Sequence, residues 1–290
     1  MNRLFLFIGC VLGLLCCDPV AAQETTSFRR ASRTTLFGVG GARQQDTYLS
    51  PLNYCGLQLN FLFGTQRVTH LLDSCVTFQT LLQADFTSTT NAPEKATYLG
   101  GVVHFDAAWH YSFCGSAVVA PSALATAGGR SFRLLLGPQV GASFGGLYNT
   151  RNGNNPAQAI AEMHLSASAA FLWRFRLWKQ PLVLSDQMDI PLIGMMFSPA
   201  YGQSYYEIFT LGNRDHNICL TTPFNAPTLR NQLAVDLPFR RCTLRLAYLA
   251  DFRQSRTNEI RRHTYSHAFL IGWVRQLDIL RPRPTPAPSH

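Results

Sequence analysis

Residues 97–113, TYLGGVVHFDAAWHYSF, carry two kinds of side chain in alternation. One set is apolar and ends in aromatic rings: Leu99, Gly101, Val103, Phe105, Ala107, Trp109, Tyr111 and Phe113. The other set includes His104, Asp106, His110 and Ser112. Because successive side chains of a strand point to opposite faces, the segment is predicted to be a β-strand with one apolar and one polar face. It is also long enough to cross a bilayer, which takes about 9–11 tilted residues.

The same alternation recurs along the chain and sets the predicted fold class. Further strands are predicted at residues 35–43, 54–64, 75–88, 131–147, 162–177, 182–193, 229–239, 242–253 and 265–279. Ten strands is an even number, as single-chain bacterial outer-membrane barrels have. We therefore predict an all-β protein, a transmembrane antiparallel up-and-down β-barrel of about ten strands with long extracellular loops. Twelve strands result if residues 204–211 and 217–222 form a further hairpin.

The two ends of the chain indicate export. Residues 1–22 begin with a positive charge, continue with an apolar stretch and end in small residues, as a cleaved secretory signal peptide does. A polar lead over 23–34 precedes the barrel, which is predicted at 35–280, and a Pro-rich tail at 281–290 is predicted to be disordered. No later stretch has the ~18 apolar residues of a membrane helix. A closed barrel is the other structure that can span a bilayer.

The composition argues against several other classes of protein. The net charge of +9 comes almost entirely from scattered arginines without a nucleic-acid-binding motif, so no nucleic-acid partner is predicted. Contacts with anionic lipid headgroups and ion pairs in the lumen are the predicted uses of these arginines. The cysteines outside the signal peptide have no metal-ligand spacing, so no metal and no cofactor are predicted. Cys75 and Cys114 lie at the same ends of neighbouring strands and are candidates for a disulfide.

Aromatic residues on the apolar faces favour a membrane barrel over a soluble β-sandwich, which would also alternate. One predicted rim collects Phe78, Trp109, Tyr111, Phe113, Phe132, Phe171, Trp173, Phe175, Phe239 and Trp273. The opposite rim collects Phe86, Phe144, Tyr148, Tyr248, Phe252 and Tyr265. Two aromatic belts are typical of the two membrane interfaces.

The connections between the strands predict an orientation. Short turns at 179–180 and 240–241 are predicted to be periplasmic. The longer segments 45–51, 149–159, 194–228 and 254–264 are predicted to be extracellular loops. This asymmetry is usual for outer-membrane barrels, and the long connection 115–130 on the periplasmic side departs from it.

The loops predicted to be extracellular are rich in Asn, Gly and Tyr. The candidate ligand-binding residues are Tyr148, Asn149, Arg151, Asn152, Asn154, Asn155, Tyr201, Gln203, Tyr205, Glu207, Asn213, Asp215 and His216. Asn and Gly can simply supply turn conformations while Tyr packs over the barrel mouth. Alternatively, amides and phenol rings form a recognition surface for a small molecule, glycan or peptide.

Four motifs in these segments resemble those of a known family. They are DTYLSPL at 46–52, YNTRNGNNPAQ at 148–158, MFSPAYGQSYYEIF at 196–209 and LGNRDHN at 211–217. The chain resembles an outer-membrane β-barrel family of Bacteroides-type bacteria, domain of unknown function 3316, over roughly residues 36–279. The resemblance implies a Gram-negative outer-membrane location and implies no activity or ligand. The Pro-rich tail departs from the aromatic end with which outer-membrane barrels often finish.

Catalysis is a second interpretation of the polar residues. His104, Asp106 and His110 share one face of a strand, and His164 and Ser166 share another. A barrel enzyme that cleaves membrane lipid needs its Ser and His on the lipid-facing surface, whereas these residues have the lumenal parity. We therefore predict hydrogen-bonding roles in the lumen and no catalytic residue, with a lipid- or glycan-modifying enzyme as the alternative.

The predicted lumen is narrow and charged. A two-residue turn at Arg240-Arg241 would set Asp236 opposite Arg245 and Arg230 opposite Asp251, two lumenal ion pairs. Because a ten-stranded barrel leaves little interior space, these side chains predict a plugged lumen. The sequence thus favours an outer-membrane barrel with a structured extracellular cap that binds a surface ligand or has a structural role. A narrow substrate-specific channel is a further alternative, and the expected partners are outer-membrane lipid and the barrel assembly machinery.

Overall fold

The computed structural model describes residues 29–279 except 70, 73–74, 92, 94–95, 114–130, 154, 178–179 and 240–241. The predicted signal peptide, the first part of the polar lead and the Pro-rich tail lie outside the described residues. So do Cys114, Asn154, the turn Arg240-Arg241 and the predicted connection 115–130. Cys75 has a free thiol.

The described chain forms eleven strands and one short helix. The strands are β1 (Arg29–Asp46), β2 (Ser50–Val68), β3 (Val76–Asn91), β4 (Ala96–Ser112), β5 (Ser131–Asn149), β6 (Ala157–Leu177), β7 (Gln180–Phe197), β8 (Ile218–Thr221), β9 (Thr228–Pro238), β10 (Thr243–Thr257) and β11 (Ile260–Ile279). The helix α1 spans Tyr205–Phe209. Within the described residues, no helix has the length and apolar character needed to cross a membrane.

Ten of these strands close into an antiparallel barrel, which confirms the predicted fold class. The strands β1 to β7 pair in sequence, β9 to β11 follow, and β1 pairs with β11 to close the ring. The short strand β8 pairs only with Gly194–Phe197 at the end of β7 and adds an edge to the barrel wall.

The alternative of twelve strands is wrong. Residues 205–209 form α1, not a strand, because Ser204 and Glu207 make a capping box. The backbone N–H of Glu207 donates to Ser204 Oγ at 3.3 Å, and the backbone N–H of Ser204 donates to Glu207 Oε2 at 2.8 Å. These two bonds satisfy amides that the first turn of a helix otherwise leaves unpaired.

Two loops predicted to be long are tight turns. Residues 47–49 join β1 to β2, and Asn258 and Glu259 alone join β10 to β11. Both turn residues have positive φ, 49° and 64°, as a two-residue hairpin turn requires. Most strands are longer than predicted, because the prediction included only the segments with apolar outward side chains. The backbone hydrogen bonds of the ladders continue beyond them, where the side chains become polar. For the same reason β1 begins at Arg29, inside the predicted polar lead.

The outward face of the barrel is apolar around its middle. Phe37 is 40% exposed, Phe63 44%, Phe105 50% and Phe269 72%. Large apolar side chains so exposed on every side of a closed barrel indicate contact with lipid. We call the end that carries α1 the cap end and the opposite end the tail end.

The lumen is filled in layers. Toward the tail end lies an apolar cluster: Leu36, Leu62, Leu81, Ala234, Ala247, Leu249, Ala268 and Leu270. Toward the cap end, the rings of Tyr54 and Tyr98 stack with centroids 3.6 Å apart, packed with Leu49, Ala96 and Leu147. Charged and polar side chains occupy the space between these two layers.

Candidate functional site

An ionic belt fills the middle of the lumen. It comprises Asp85, His104, Asp106, Glu162, His164, Arg230, Asp251, Arg253 and Arg262. Each of these residues belongs to the inward-pointing set of its strand, so the alternation of the sequence brings all of them to the barrel axis.

Arginine–carboxylate pairs hold the belt together. Arg230 Nη1 lies 3.0 Å from Asp106 Oδ2, across the lumen between β9 and β4. Arg253 Nε and Nη2 donate to the two oxygens of Asp251, each at 2.9 Å. Because buried charges are tolerated only when they are paired, these contacts explain how the lumen can hold them.

The predicted register of β9 and β10 is confirmed. Asp236 faces Arg245 across the ladder, and Arg230 faces Asp251. Arg245 Nε and Nη2 donate to Asp236 at 2.6 and 2.7 Å, a bidentate pair. The predicted ion pair between Arg230 and Asp251 is wrong: Arg230 pairs with Asp106, and Asp251 pairs with Arg253.

One serine, one histidine and one carboxylate of the lumen lie in a row. Ser143 Oγ is 2.8 Å from His104 Nδ1, and His104 Nε2 is 3.3 Å from Asp85 Oδ2. Arg253 Nη1 lies 3.1 Å from His104 Nδ1 and 3.3 Å from Ser143 Oγ. The carboxylate of Asp85 is held in turn by amide donors from Asn60 and Gln83. The histidine therefore lies between a hydroxyl and a fixed carboxylate, the order that nucleophilic catalysis uses.

A second serine–histidine pair lies nearer the tail end in a different order. Ser168 Oγ is 2.8 Å from His110 Nε2, but it donates to Asp189 Oδ1 at 2.5 Å. Here the serine lies between the other two groups, so the carboxylate does not orient the histidine. This arrangement is a hydrogen-bonded packing unit.

His164 and Ser166, the spacing noted in the sequence, do not contact each other's functional atoms. His164 Nε2 lies 3.7 Å from Asp106 Oδ1. The hydroxyl of Ser166 is buried and has no hydrogen-bond partner among the described residues. A Cβ on Gly141 would lie 2.3 Å from His164 Nε2 and 2.4 Å from Asp106 Oδ1, so the belt needs glycine at this position.

Among the described residues, two small cavities lie beside the belt, each of about 50 Å³. One reaches from His104 and Ser143 to Pro191 and Thr228, where the barrel wall changes its pairing. In that wall β7 pairs with β9 only over Val183–Asp189 and with β8 from Gly194. Space of this size holds a few water molecules or one small chemical group.

A cap formed by residues 198–217, which join β7 to β8 and include α1, covers the cap end of the barrel. Tyr48 Oη donates to the backbone oxygen of Gln203 at 2.9 Å, which ties the cap to the turn between β1 and β2. Asn258 Nδ2 donates to the backbone oxygen of Ser198 at 2.9 Å, from the turn between β10 and β11. Tyr205 Oη accepts from the backbone N–H of Ala159 at 2.6 Å. The cap is therefore bound to three separate hairpins.

Most candidate residues of the β5–β6 loop stabilise the loop itself. Asn149 Oδ1 accepts from the backbone N–H of Arg151 at 3.0 Å, and Asn152 Oδ1 accepts from that of Asn155 at 3.2 Å. Asn152 Nδ2 also donates to the backbone oxygen of Leu49. These amides perform the turn-forming role rather than facing solvent.

The candidates in the cap divide into two groups. Gln203 holds the cap together, since its side chain accepts from Asn217 Nδ2 at 2.7 Å and donates to the backbone oxygen of Asn213 at 3.0 Å. Glu207 closes the capping box of α1. The second group is exposed to solvent: Tyr201, Asn213, Asp215 and His216.

Tyr148 and Tyr205 are the candidates that line a common groove. It lies on the outside of the barrel at the cap end, has a volume of about 340 Å³, and is also lined by Leu99, Gly146 and Ala157. Tyr148 is 48% exposed, on the outward face of β5. The groove is mostly apolar, with a glycine and an alanine that leave space for a ligand group.

The phenols that hold the cap resist ionisation. Burial is the main cause that raises the pKa of Tyr48 to about 12, and the neighbouring Tyr205, Asp46 and Glu207 raise it further. Burial also raises the pKa of Tyr205, although the N–H of Ala159 opposes the shift. Both phenols therefore stay neutral, and Tyr48 keeps its donor, at ordinary pH.

Three residues that matter to these sites were missed in the sequence. Ser143 and Asp85 lie within predicted strands and Tyr48 within the predicted loop 45–51, and nothing in their spacing singles them out. Ser143 is directly opposite His104 in the ladder of β4 and β5, so the strand pairing is a signal for that contact. The hydrogen bond from Tyr48 to Gln203 joins residues 155 positions apart and has no local signature. In the described part of the chain, no group of three or more His, Cys, Asp or Glu side chains could hold a metal ion.

The chain is similar to several solved structures, three of which are outer-membrane proteins of low sequence identity. The outer-membrane protease OmpT of Escherichia coli is 7% identical and has a TM-score of 0.48, covering 88% of this chain and 99% of OmpT. The transport unit of the autotransporter AIDA-I of Escherichia coli is 6% identical with a TM-score of 0.45, covering 95% and 97%. The COG4313 outer-membrane channel of Pseudomonas putida F1 is 10% identical with a TM-score of 0.35, covering 90% and 100%.

No curated protein matches the chain in sequence. One family profile does, and it extends over nearly the whole chain, from residue 4 to residue 284. The resemblance noted in the four loop motifs is thereby confirmed, while the link to Bacteroides-type bacteria stays a prediction. The chain belongs to the family described as "Protein of unknown function (DUF3316)".

Proposed function

We propose that this protein is an outer-membrane barrel with a closed lumen whose cap end binds a peptide or protein segment at the cell surface. The observation that carries the proposal is the groove between Tyr148 and Tyr205, which a cap fixed to three hairpins keeps in shape. A groove of this volume is in the range of ligand sites, and preorganisation lowers the entropy lost on binding.

The lining of the groove favours an apolar side chain over a sugar. Recognition of a sugar needs several polar groups that converge on its hydroxyls, whereas the asparagines Asn149 and Asn152 bond within their own loop. The phenol of Tyr205 is likewise engaged, with Ala159 and Gln158. Two phenol rings and Leu99 remain to contact a ligand, and tyrosine is frequent among residues that dominate binding energy.

The ionic belt and the two layers beside it support a closed lumen. The proposal therefore predicts no step conductance above the leak of the bare membrane when the folded protein is inserted in a planar bilayer. Stable single-channel currents in wild-type protein would instead favour the narrow channel.

The binding proposal is tested with peptides selected by phage display on the folded barrel in lipid nanodiscs. For a selected peptide, Tyr148→Ala should weaken binding about tenfold or more, because a buried aromatic anchor contributes over ~1.4 kcal/mol. Phe144→Ala is the matched control, since Phe144 is 58% exposed on the same face of β5 and lies outside the groove. Equal losses in both variants, or selective binding on a glycan array with no selected peptide, would refute the proposal.

The orientation is part of the proposal. A protease-cleavable tag inserted at Gly153 should be cut on intact cells, and one at Gln180 should not. The cap end would then face the outside and the tail end the periplasm. The reverse pattern would place the groove in the periplasm and contradict a cell-surface role.

The row Ser143–His104–Asp85 favours a second candidate, hydrolysis of a small carboxylic ester. Ser143 Oγ would attack the ester carbonyl as its proton passes to His104 Nδ1, and Arg253 Nη1 would donate to the carbonyl oxygen. The alcohol would leave with the proton from His104. A water molecule, deprotonated by His104, would then release the carboxylic acid and restore Ser143.

Methanesulfonyl fluoride is small enough to test this second candidate by peptide mass spectrometry. If the row is reactive, Ser143 is sulfonylated and His104→Gln abolishes the labelling while the barrel stays folded in unheated gels. Ser168 is the internal control. Its Oγ is also 2.8 Å from a histidine nitrogen, Nε2 of His110, but the carboxylate of Asp189 bonds to the serine and not to the histidine. Absence of labelling at Ser143, or equal labelling of Ser168, would exclude the enzyme.

A further inference from the structure

We propose that three outward-facing arginines at the cap end, Arg43, Arg256 and Arg261, bind the phosphate groups of a phosphorylated glycolipid in the outer leaflet. We call them the outer arginine patch. The site lies on the β10–β11–β1 side of the barrel and is separate from the groove on β4–β6. It rests on the membrane placement proposed above and is independent of the peptide ligand.

The register brings the three side chains to one face. Arg256 and Arg261 are directly opposite each other on β10 and β11, and both are exposed. Arg43 is opposite Tyr265 on the neighbouring ladder, also exposed on the outside of β1. Their neighbours Ser255, Thr257 and Ile260 are buried, as expected from the alternation.

The patch lacks the carboxylates that neutralise the arginines of the lumen. Ion pairs among the described residues involve Arg230, Arg245, Arg253 and Arg262, and none of the three patch residues. Of the nearby acidic residues, Asp46 is fully buried, and Glu259 is exposed in the hairpin turn. Within the described part of the chain, Arg43 Nε donates to Asn53 Oδ1, a neutral oxygen, at 3.3 Å.

Like charges placed opposite each other destabilise a sheet, so Arg256 and Arg261 repel unless an anion lies between them. A phosphate satisfies both, because a guanidinium presents a planar pair of donors that matches two phosphate oxygens. Basic residues close to an anionic membrane surface also attract it over about a Debye length.

The height of the three arginines relative to the membrane interface indicates which class of lipid they bind. Arg43 lies level with the ring pair Tyr265 and Phe252, whose centroids are 5.9 Å apart and which mark the membrane interface. Arg261 is four residues beyond Tyr265, roughly 13 Å along the strand. Positive charge is thus spread over more height than one phosphodiester occupies, which fits a headgroup with phosphates carried on sugars.

Apolar surface for the acyl chains lies directly below the ring pair. Phe269 is 72% exposed and Ile271 55% exposed on the outward face of β11. Rings of Tyr248 and Phe269 pack with centroids 5.2 Å apart. A lipid bound through its headgroup to the patch would therefore lay its chains on this strand.

The test compares two charge-matched variants of the full mature chain in vesicles. Arg256→Gln/Arg261→Gln removes two charges from the patch. Arg33→Gln/Arg275→Gln removes an equally opposed pair from the outward face at the tail end. Both proteins are reconstituted in phosphatidylcholine vesicles containing lipid A, and the lipid retained after detergent extraction is measured by mass spectrometry.

We expect the patch variant to retain at least tenfold less lipid A than the wild type. The tail-end variant should retain the same amount as the wild type. Arg256→Lys/Arg261→Lys, which keeps the charge and loses the planar donors, should fall between them. Equal losses in both Gln variants would overturn the proposal, as would equal retention of phosphatidylglycerol by the wild type. Displacement of lipid A by inorganic phosphate at millimolar concentration would identify a free-phosphate site and also overturn it.

Discussion

The apolar cluster near the tail end of the lumen and the ionic belt at its middle both exclude solvent, but they depend on different physical terms. The cluster is stabilised by the removal of apolar surface from water. This effect has no preferred direction, so the cluster tolerates small changes of shape. The belt consists of buried charges, each tolerated only because a specific partner is in place. The two regions should therefore respond differently to the same kind of substitution.

The largest expected effect is in the belt. Arg230→Met leaves Asp106 buried without its guanidinium partner, and we expect a loss of about 4 kcal/mol in the free energy of unfolding. Urea unfolding of the reconstituted barrel measures it. The double variant Arg230→Met/Asp106→Leu removes both charges and should recover most of the loss. If the single and double variants unfold alike, the belt is not held by charge pairing.

The matching substitution in the apolar cluster is Leu62→Ala. Leu62 is 1% exposed, and its truncation should lower the free energy of unfolding by about 3 kcal/mol, from lost burial and the cavity left behind. Leu59 lies on the same strand and is 42% exposed on the outside, so Leu59→Ala should have a smaller effect. A comparable loss for Leu59→Ala would mean that lipid contact and lumenal packing contribute equally.

Two glycines allow the same comparison for substitutions that add a side-chain atom. Gly141→Ala would force a Cβ within 2.4 Å of belt atoms on His164 and Asp106, and should cost about 1–3 kcal/mol. Gly64→Ala, beside the apolar cluster, would place its Cβ 3.5 Å from Leu81 Cδ1, an ordinary contact, and should be nearly neutral. Unfolding midpoints of the two variants provide the measurement, and the prediction fails if their order is reversed.

The smallest effect concerns the cap. Tyr48→Phe removes the hydrogen bond to the backbone of Gln203 and should lower stability by about 1 kcal/mol. In wild-type protein the folded pKa of Tyr48 is about 12, above the ordinary value of 10, because burial disfavours the phenolate. The neutral form is favoured by the fold, so stability should fall as pH rises from 10 to about 12. Tyr48→Phe should reduce this alkaline slope, measured by unfolding at increasing pH.

Local rules explain why much of the fold could be predicted. The period-two alternation of strands such as β4 assigned each side chain to the lumen or to lipid, because a strand has only two faces. The predicted two-residue turn sets Asp236 opposite Arg245, since a slip of one residue would reverse both faces. Where the local rules competed, the prediction failed: Ser204 and Glu207 start a helix in a segment that also alternates.

The period-two alternation is enough to predict the barrel and the polar lumen, and with one short predicted turn it also gives the register of β9 and β10. Which charges meet inside the lumen depends on the closed barrel. Arg230 is opposite Asp251 in the ladder but pairs with Asp106, which is 124 residues away in sequence. Arg253 of β10 likewise reaches His104 on β4 and Ser143 on β5. Closure of the barrel brings distant strands face to face across a narrow lumen. The choice of partner there depends on side-chain length and desolvation rather than on any local period.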